Sequence, residues 1–413
     1  MKHIDIIRPG SINAINGPIG TLKRILKNRL FFSEREYDIT LFTNDSIKQG
    51  PIIAPPTTMA GYSRSKGLRR MASDYLRAGA RRRLLPAIII NKKDRRNAAR
   101  LVDYYLSLER NPDIVQMHSD AECYHYLKKR KNTSAKVVLF LHTDGFPQKM
   151  LLESLPGLSG SRYLKRLTKR FNFTIEHIDR LVFITNVAKK NFVESYTGKS
   201  LPKISVILNG IDDLSSDQNA AVHNIAEQAR QSEFKYRLCC SGTINTRKGQ
   251  RTIVEALIRL PEHLRNKIHV DFIGDGSERH ALQELAEKYG ISQNCLFRGS
   301  VPNSDVYKCL AENNIFVLMS KNEGLPISII EAMRVGLPII ATNVSGIPEQ
   351  VTNGENGFLI EPTTDALVEM LTRLPDYDWE AMGRASRQRF ERDFTFERMQ
   401  RQFCEMYDES LKQ

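Results

Sequence analysis

Short runs of hydrophobic residues recur along the chain and alternate with longer stretches that have helical spacing. Most runs are nearly continuous in Val, Ile, Leu and Phe, which is typical of parallel strands that are buried on both faces. Strand-helix alternation over 413 residues predicts α/β structure of the doubly wound parallel-sheet type in two copies. The predicted strands are residues 4–7, 39–43, 87–90, 114–117, 137–141, 181–184, 204–208, 237–240, 270–273, 296–297, 316–319, 339–341 and 358–360.

A chain of this length is too long for one ordinary core and suits two domains of about 200 residues each. The stretch between Asp212 and Phe234 is polar and lacks a buried pattern, although its residues 220–232 are predicted to form a short helix. Residues 379–411 are predicted to be helical and charged, with a break near Asp393-Phe394-Thr395. We therefore expect a first domain of residues 1–212, a linker of residues 213–234, a second domain of residues 235–392 and a C-terminal helix within residues 393–413.

Composition places the protein in the soluble globular class, with 41% hydrophobic and 26% charged residues. No apolar run approaches the roughly 18 residues that span a bilayer, and the N-terminus has no signal-peptide pattern. None of the six cysteines forms a C-x-x-C pair. We therefore expect reduced thiols in the cytoplasm, with neither disulfides nor a zinc site.

Positive charge is concentrated in the first half of the chain. Residues 1–200 carry 37 Lys and Arg against 17 Asp and Glu, whereas residues 201–413 carry 24 against 30. Residues 64–100 alone hold 13 basic and 2 acidic residues, and a second basic cluster lies within residues 162–170. This pattern is typical of a basic amphipathic element on an anionic membrane, and a solvated basic face is the alternative. No nucleic-acid-binding motif accompanies the charge, so no nucleic acid is expected as a partner.

Two glutamates flank a predicted helix start in the second half. A buried run is followed by Glu323 and by the turn Gly324-Leu325-Pro326, and Pro326 suits the first turn of a helix that carries Glu331. Ligands of open α/β sheets bind at the carboxyl ends of the strands, where helix N-termini offer free N–H groups to phosphate. Two carboxylates so placed fit a nucleotide sugar, one near the hexose and one on the ribose. On spacing alone, two surface glutamates beside an ordinary helix are the stronger interpretation.

Glycine-rich turns after other predicted strands favour the nucleotide-sugar site over the interpretation as two surface glutamates. Ser241-Gly242-Thr243 leads through Arg247 to Lys248-Gly249. A strand-helix turn of this kind with a cation suits a diphosphate, because backbone dipoles and a point charge both favour the anion. Gly274-Asp275-Gly276 repeats the arrangement, although a short Gly-x-Gly is a weak signal by itself.

Taken in order, these motifs resemble the retaining glycosyltransferases of family 4, which have the GT-B fold of two Rossmann-like domains facing each other across a cleft. The resemblance covers about residues 238–360, and Asn209-Gly210-Ile211-Asp212 is similar to the segment that closes the family's first domain. It implies that the second domain binds the nucleotide sugar, that the first binds the acceptor, and that the C-terminal helix packs back on the first domain. The motifs are Gly242…Lys248-Gly249, Gly274-Asp275-Gly276, Glu323-Gly324-Leu325-Pro326…Glu331-Ala332-Met333, Gly336-Leu337-Pro338, Gly346-Ile347-Pro348-Glu349 and Asn356-Gly357-Phe358-Leu359.

The resemblance also implies roles for single residues. Glu331 would bind the donor ribose, Glu323 would lie near the donor hexose, and Lys248 would neutralise the diphosphate leaving group. The family often has arginine where this chain has Thr243, so Lys248 would carry more of the phosphate charge. No metal is expected, because a lysine and helix dipoles can stabilise the leaving group and the Asp-x-Asp match at residues 376–378 lies in a polar loop. The predicted donor-binding set is Gly242, Thr243, Arg247, Lys248, Gly274, Glu323, Gly324, Leu325, Pro326 and Glu331.

The first domain matches the family more loosely. Asn16-Gly17-Pro18-Ile19-Gly20 resembles the family's Gly-rich loop near the acceptor, and a simple strand-helix turn is the alternative. His118 and His142 each follow a predicted strand and would emerge at the same edge of a parallel sheet. His142 resembles the family's active-site histidine. The predicted catalytic residues are therefore Glu323, His142 and Lys248, and the acceptor-side residues are Gly17, Gly20 and His118.

The resemblance implies an enzyme that moves a hexose, with retention of configuration, to a glycan or a lipid-linked saccharide. The expected donor is a UDP-sugar, with GDP-mannose as the second choice, and no other cofactor is expected. The expected setting is the assembly of a bacterial surface polysaccharide (capsule, O-antigen or exopolysaccharide) by a cytoplasmic enzyme that is peripheral at the inner face of the plasma membrane. The alternatives are a nucleotide-sugar epimerase of the same fold and a non-catalytic glycosyltransferase-like partner subunit.

Overall fold

The computed structural model describes residues 1–13, 17–55 and 83–412. The chain divides into two compact units, one of Met1–Leu208 and Met399–Gln413 and one of Asn209–Arg398. Each unit contains a six-stranded sheet, and the pairings within both sheets are parallel. This confirms the predicted α/β class in two copies.

The first sheet has the order β2-β1-β3-β4-β5-β6 and the second has the order β12-β11-β10-β7-β8-β9. Most strand residues are buried, as the continuous apolar runs predicted. The strands are β1 Lys2–Ile7, β2 Tyr37–Phe42, β3 Ile114–Met117, β4 Lys136–Leu141, β5 Arg180–Phe183, β6 Lys203–Val206, β7 Tyr236–Ser241, β8 Ile268–Ile273, β9 Cys295–Gly299, β10 Ile315–Leu318, β11 Ile339–Thr342 and β12 Gly357–Ile360.

Helices connect the strands, and many of them carry buried apolar residues. Four single 3₁₀ turns complete the described part of the chain, at Pro156–Leu158, Ser292–Asn294, Ile347–Glu349 and Leu374–Asp376. The helices are α1 Gly17–Lys27, α2 Arg29–Ser33, α3 Ser46–Gln49, α4 Leu84–Ser107, α5 Asp120–Lys129, α6 Pro147–Ser154, α7 Arg162–Glu176, α8 Asn186–Ser195, α9 Ser216–Ala229, α10 Gln250–Arg259, α11 Glu262–Arg265, α12 Arg279–Lys288, α13 Val306–Ala311, α14 Ile327–Arg334, α15 Thr364–Thr372, α16 Trp379–Asp393 and α17 Phe396–Leu411.

Both sheets contain a point at which the order of the strands reverses. In the second sheet this point lies between β7 and β10, and in the first it lies between β1 and β3. The connections from the two central strands leave in opposite directions there, which opens a crevice at the carboxyl ends of the strands. Each unit is therefore expected to bind ligands in the loops that follow these two strands.

The end of the chain contributes to the core of the first unit. The Phe403 ring stacks on Phe140 with a centroid distance of 5.2 Å, and the ring of Tyr407 lies 5.4 Å from that of Tyr37. Nε of Arg180 donates a hydrogen bond of 2.9 Å to the hydroxyl of Ser410. These contacts fix the α17 residues from Met399 onward within the unit that β1–β6 form.

The strand prediction for residues 87–90 is wrong, because these residues lie within α4. Buried residues of α4 recur at helical spacing through Ala87, Asn91 and Ala98, whereas Ile89 within the apolar run is 45% exposed. A short continuous apolar run cannot be assigned to a strand or a buried helix by periodicity alone. The residues after this run keep helical spacing, and the run is part of the same helix.

The two units divide between Leu208 and Asn209, four residues before the expected end of the first domain. Residues 213–234, expected as a linker, contain α9, which packs against α13 in the second unit. The backbone of Ile211 pairs with Phe394 and Phe396 at 3.0 and 2.9 Å, and Arg387 holds both carboxylate oxygens of Asp213 at 2.7 Å. These bonds attach the segment to the second unit.

Candidate active-site residues of the two units

The crevice of the second unit is lined by three loops that approach one another closely. Gly249, with φ of 72°, precedes α10, and a Cβ on it would collide with the carbonyl oxygen of Met319 at the end of β10. Gly274 has φ of 144°, and a Cβ on it would collide with the carbonyl oxygen of Gly242. The glycines predicted from the sequence therefore allow the loops after β7, β8 and β10 to pack together.

Glu323 lies in the loop after β10 and is the centre of a charged cluster. Its Oε1 lies 2.8 Å from Nζ of Lys248 and 3.0 Å from Nη1 of Arg247, and it accepts a hydrogen bond of 2.8 Å from the Ser320 hydroxyl. The side chains of Glu323 and Lys248 are mostly buried, whereas Arg247 is half exposed. Burial acts to raise the pKa of Glu323, but Lys248 and Arg247 hold that pKa below its usual value.

This cluster brings together, in one unit, residues of the loop after β7 and residues of the loop after β10. Glu323 is ionised at neutral pH, and Lys248 and Arg247 place two cations on one carboxylate oxygen. The side chain of Lys248 also passes Gly242, since a Cβ there would lie 3.7 Å from Cε of the lysine. The arrangement can stabilise an anion beside Lys248 and Arg247 and can hold a hydroxyl on the carboxylate of Glu323.

The remaining predicted donor residues lie in the loops that follow β7, β8 and β10 and in α14. Leu325 is buried, and Pro326 caps α14, with its carbonyl oxygen accepting a bond of 3.1 Å from the side chain of Gln350. Glu331 is half-buried in the second turn of α14. Thr243 is exposed, and its carbonyl oxygen accepts a bond of 3.2 Å from the side chain of Gln250.

In the first unit, the structure places His118 and His142 in direct contact. Nδ1 of His118 lies 2.8 Å from Nε2 of His142, and the two rings are nearly parallel with an interplanar angle of 13°. His118 follows β3 and His142 follows β4, and these strands are neighbours in the sheet. Pairing at the carboxyl ends of adjacent parallel strands therefore explains why the two side chains meet.

A chain of hydrogen bonds fixes the proton positions of this pair. The amide nitrogen of Gln116 lies 2.9 Å from Nε2 of His118, and its amide oxygen accepts a bond of 2.7 Å from the Tyr407 hydroxyl. Because an amide NH₂ only donates, Nε2 of His118 accepts, and the His118 proton is on Nδ1. That N–H donates to Nε2 of His142, so His142 carries its own proton on Nδ1. His142 can therefore offer an N–H to a ligand oxygen.

The surroundings keep both imidazoles neutral. Burial, the His142 ring and the Arg8 charge lower the pKa of His118 well below its usual range, and burial with Arg8 lowers the pKa of His142 to about 3. Arg8 directly follows β1, on the other side of the strand-order reversal. Its Nε is buried and, among the residues that the structure describes, has no hydrogen-bond partner. Arg8 therefore adds a cation to the crevice of the first unit.

The predicted Gly-rich loop after β1 differs from the expectation. Gly17 and Gly20 lie in the first turn of α1, which begins at Gly17, and not in a loop before the helix. Proline is common in the first turn of a helix, which makes Pro18 compatible with this start. Asn16 of the predicted loop, and residues 64–82 of the basic stretch, lie outside the described residues.

Four residues of these clusters were missed from the sequence: Ser320, Arg8, Gln116 and Tyr407. Gln116 had a usable signal, because a polar residue within the apolar run Ile114–Met117 requires a buried hydrogen-bond partner. Arg8 directly follows a predicted strand, as the two histidines do. It could have been named as a candidate because ligands of parallel sheets bind at the carboxyl ends of the strands. Tyr407 is 291 positions away from Gln116, and no local pattern connects them.

The described part of the chain has neither a cluster of metal ligands nor a membrane-spanning helix. Within residues 1–13, 17–55 and 83–412, no group of three or more His, Cys, Asp and Glu side chains could hold a metal ion. Over the same ranges, no helix combines the length and the apolar character needed to cross a bilayer. The predicted independence of metal remains a prediction.

Comparison with known families identifies the class of the protein. Residues 221–389 match the family model "Glycosyl transferases group 1", and residues 52–213 match the family model "Glycosyltransferase Family 4". The two matches divide close to the boundary between the units. The chain therefore belongs to the glycosyltransferases of group 1 and family 4, and it is an enzyme of that class.

Individual proteins extend this comparison. The chain is 28% identical over 252 residues to a subunit of the phosphatidylinositol N-acetylglucosaminyltransferase of Arabidopsis thaliana, which covers 60% of this chain and 53% of that protein. The chain thus spans about half the length of this relative. The sucrose-phosphate synthase structure from Thermosynechococcus elongatus matches with a TM-score of 0.72 and 16% identity over 99% of both chains. The structure of Anabaena Alr3699/HepE in complex with UDP matches with a TM-score of 0.65 and 16% identity over 99% of this chain and 100% of that one. These structures confirm the GT-B fold.

Proposed function

We propose that the protein transfers a hexose from a UDP-sugar to a saccharide acceptor with retention of configuration, during assembly of a bacterial surface polysaccharide. The observation that carries this proposal is the buried cluster of Glu323 with Lys248 and Arg247 at the strand-order reversal of the second unit. The names of two similar proteins support the donor class, since one was solved with UDP and the other is an N-acetylglucosaminyltransferase. GDP-mannose is the second candidate donor.

The proposed chemistry follows from the charges of the cluster. The bond from the anomeric carbon to the diphosphate breaks, and Lys248 with Arg247 stabilises the negative charge that develops on the leaving oxygen. An acceptor hydroxyl forms the new glycosidic bond on the same face, and its proton passes to an oxygen of the leaving diphosphate. In the second unit, Glu323 binds a hydroxyl of the donor sugar. In the first unit, the Nδ1–H of His142 donates to a saccharide oxygen. Because Lys248 supplies the positive charge, we expect activity to survive EDTA.

The test is turnover of UDP-glucose, UDP-N-acetylglucosamine and GDP-mannose by the wild type, by Glu323→Gln and by Lys248→Met. We expect hydrolysis or transfer of one donor, and a loss of roughly 10²–10³-fold in kcat for each variant. Asp271→Asn is the matched control, since Asp271 is also a buried carboxylate held ionised by a cation, Arg298, but lies within β8. Its turnover for each folded molecule should be unchanged.

The same assay decides between the alternatives. Release of an epimerised free sugar would establish an epimerase and contradict transfer. Failure of the wild type to turn over or bind any nucleotide sugar would leave the partner-subunit interpretation in place. Full activity of Glu323→Gln would remove the proposed role of that carboxylate, even if transfer itself were observed.

We also propose that the enzyme is peripheral on an anionic membrane and that α4 contributes to the contact. Leu85 is 68% exposed and Ile89 is 45% exposed. The exposed cations Lys92, Lys93 and Arg96 continue the same face of α4, because these five positions are spaced by three or four residues. Apolar side chains at one end of a basic face suit insertion between anionic headgroups. A membrane position would bring the enzyme to a lipid-linked acceptor.

Cosedimentation with vesicles that contain phosphatidylserine tests the membrane proposal. Replacing Lys92, Lys93 and Arg96 by serine should weaken binding roughly 100-fold, at about 1 kcal/mol for each charge. The control replaces the exposed lysines Lys189, Lys190 and Lys199 by serine, which removes the same charge elsewhere in the first unit. Equal weakening by both triple variants would show that only net charge matters, and would contradict the α4 surface.

A further inference from the structure

We propose that Tyr407 is a positioning residue for the transfer reaction and that it decides which ring nitrogen of His142 carries the proton. Tyr407 belongs to α17, whereas His142 follows β4 at the carboxyl edge of the first sheet. Its effect on turnover rests on the proposed contact between His142 and a saccharide, whereas its effect on the proton does not.

Three hydrogen bonds link the two residues within the first unit. The Tyr407 hydroxyl lies 2.7 Å from Oε1 of Gln116, whose Nε2 lies 2.9 Å from Nε2 of His118. Nδ1 of His118 lies 2.8 Å from Nε2 of His142, and the two ring centroids are 5.2 Å apart. Nearly parallel rings with these two distances meet edge to edge, which is the geometry of a straight N–H···N bond. Tyr407, Gln116 and His118 are buried, so an unpaired group among them has little access to water.

The chain of bonds has two internally consistent directions. In the first, the amide NH₂ of Gln116 faces His118, and both His118 and His142 carry their protons on Nδ1. In the second, the amide is turned over and its oxygen accepts from the Nε2–H of His118. His142 then donates its Nε2–H to His118 and has a bare Nδ1. Because both rings are neutral, each holds one proton, and the direction of one bond fixes the direction of the others.

The hydroxyl of Tyr407 favours the first direction, in which it donates to the amide oxygen of Gln116. In the second direction it faces the amide NH₂ and accepts from it. Its own O–H then has no acceptor among the residues that the structure describes. An unpaired buried donor costs enough to favour the first direction by roughly tenfold or more. His142 therefore presents an N–H, and not a lone pair, at Nδ1.

The surroundings of Tyr407 hold its hydroxyl in place. Its ring lies 5.4 Å from that of Tyr37 and 6.0 Å from that of Phe403, and its exposed fraction is 0%. Phe403 in turn stacks on Phe140 of β4, the strand that ends directly before His142. The C-terminal helix thus has a role beyond packing, since it fixes the position of a proton on a candidate catalytic residue.

Two tyrosines of the first unit provide a matched pair of variants. Tyr105 is also buried, and its hydroxyl donates a bond of 2.8 Å to a buried acceptor, Oδ2 of Asp5. Asp5 is bonded further to Arg110 and, among the described residues, not to a histidine. Tyr407→Phe and Tyr105→Phe therefore remove the same group, but only the first releases the amide of Gln116. Gln116→Met is a second variant, which cuts the chain of bonds at the next residue with a side chain of similar volume.

The experiment is ¹⁵N NMR of the full chain labelled at histidine, in which protonated and bare ring nitrogens have well-separated shifts. The signals of His142 are assigned by their loss in His142→Gln. We expect Nδ1 of His142 to be protonated in at least about nine of ten wild-type molecules. In Tyr407→Phe and Gln116→Met either direction leaves one buried group unpaired, so this fraction should fall to roughly one half. Tyr105→Phe should keep the wild-type fraction.

Turnover connects this proton to the reaction. With the nucleotide sugar that the wild type turns over, kcat should fall about twofold in Tyr407→Phe and in Gln116→Met, in proportion to the lost Nδ1–H. Tyr105→Phe should leave kcat unchanged. In a His142→Gln background, Tyr407→Phe should have no further effect on kcat, because the residue through which it acts is absent.

Three outcomes would overturn the proposal. One is a bare Nδ1 on His142 in the wild type, which would reverse the direction of the bonds. Another is a protonated fraction that keeps its wild-type value in both Tyr407→Phe and Gln116→Met. The third is an equal fall in Tyr105→Phe, which would assign the effect to general loosening of the core. Since the NMR measurement needs neither donor nor turnover, an enzyme with the expected protons but without transfer would contradict the proposed function alone.

Discussion

A buried carboxylic acid lies beside the neutral histidine pair of the first unit. Burial raises the pKa of Glu122 to about 7 from its usual value of 4.5, although its oxygens accept bonds from the Ser119 hydroxyl and the backbone N–H of His118. Between pH 4.5 and about pH 7, the Glu122 carboxyl keeps its proton in the folded protein but loses it in the unfolded chain. Stability from this group is thus complete below pH 4.5 and is lost as the pH rises through 7. At about 1.4 kcal/mol per unit, the loss is roughly 3 kcal/mol.

Glu122→Gln should remove this pH dependence, since glutamine keeps an oxygen acceptor and does not titrate. The free energy of unfolding of the variant, relative to the wild type, should rise by roughly 3 kcal/mol between pH 4.5 and pH 8. Urea denaturation at a series of pH values measures it. His118 and His142 titrate in both proteins, so their contributions cancel in the difference. A difference that stays constant with pH would show that Glu122 is ionised throughout.

The residues of the candidate sites were predictable from the sequence where chemistry follows a strand end. Glu323, Lys248, His118 and His142 were all named for that reason, and the structure pairs them within their units. The direct contact of the two histidines was not predictable, because it depends on β3 and β4 being neighbours. Strand order is a property of the tertiary fold, and hydropathy along the chain does not determine it.

At the scale of elements, the start of α10 depends on a close approach of two backbones. Gly249 has φ of 72°, and a Cβ on it would meet the carbonyl oxygen of Met319. Gly354 provides the comparison, since it has φ of 77° but nothing within 4 Å of a Cβ. Gly354→Ala should therefore cost only the left-handed strain of about 1–2 kcal/mol. Gly249→Ala should cost clearly more, because β10 or α10 must also move.

Urea denaturation of the two alanine variants measures this difference. We expect Gly249→Ala to lose roughly 2 kcal/mol more than Gly354→Ala, in the range of other backbone clashes. Donor binding should weaken in Gly249→Ala, because Lys248 precedes the displaced residue and pairs with Glu323. Equal losses in the two variants would mean that the loops after β7 and β10 are not in contact in solution.

Elements were predicted well where their apolar pattern was long or bounded by turns. Every predicted strand except residues 87–90 overlaps a strand of the structure. The break between α16 and α17 at residues 394–395 was also predicted. The strand prediction for residues 87–90 failed because Ala-Ile-Ile-Ile has the composition of a strand. The helical periodicity is visible only further along α4, at Asn91, Leu101 and Tyr105.

At the scale of the whole molecule, the first unit is built from two separate parts of the chain, Met1–Leu208 and Met399–Gln413. Phe403 and Tyr407 of the second part are almost fully buried, against Phe140 and Tyr37 of the first. Loss of one large buried aromatic side chain costs about 3–5 kcal/mol. Loss of two therefore approaches or exceeds the roughly 5–15 kcal/mol that stabilises an ordinary domain.

Deleting residues 399–413 should for this reason unfold the first unit and leave the second folded, because β7–β12 and their helices have a core of their own. Amide hydrogen exchange with peptide resolution distinguishes the two results. We expect rapid exchange in β1, β3 and β4 and unchanged slow exchange in β7, β8 and β10. The milder variant Tyr407→Phe removes only the bond to Gln116, at about 1 kcal/mol, and should preserve protection in both sheets. Protection of β1–β6 in the deletion variant would show that the first part of the chain folds without its C-terminal helix.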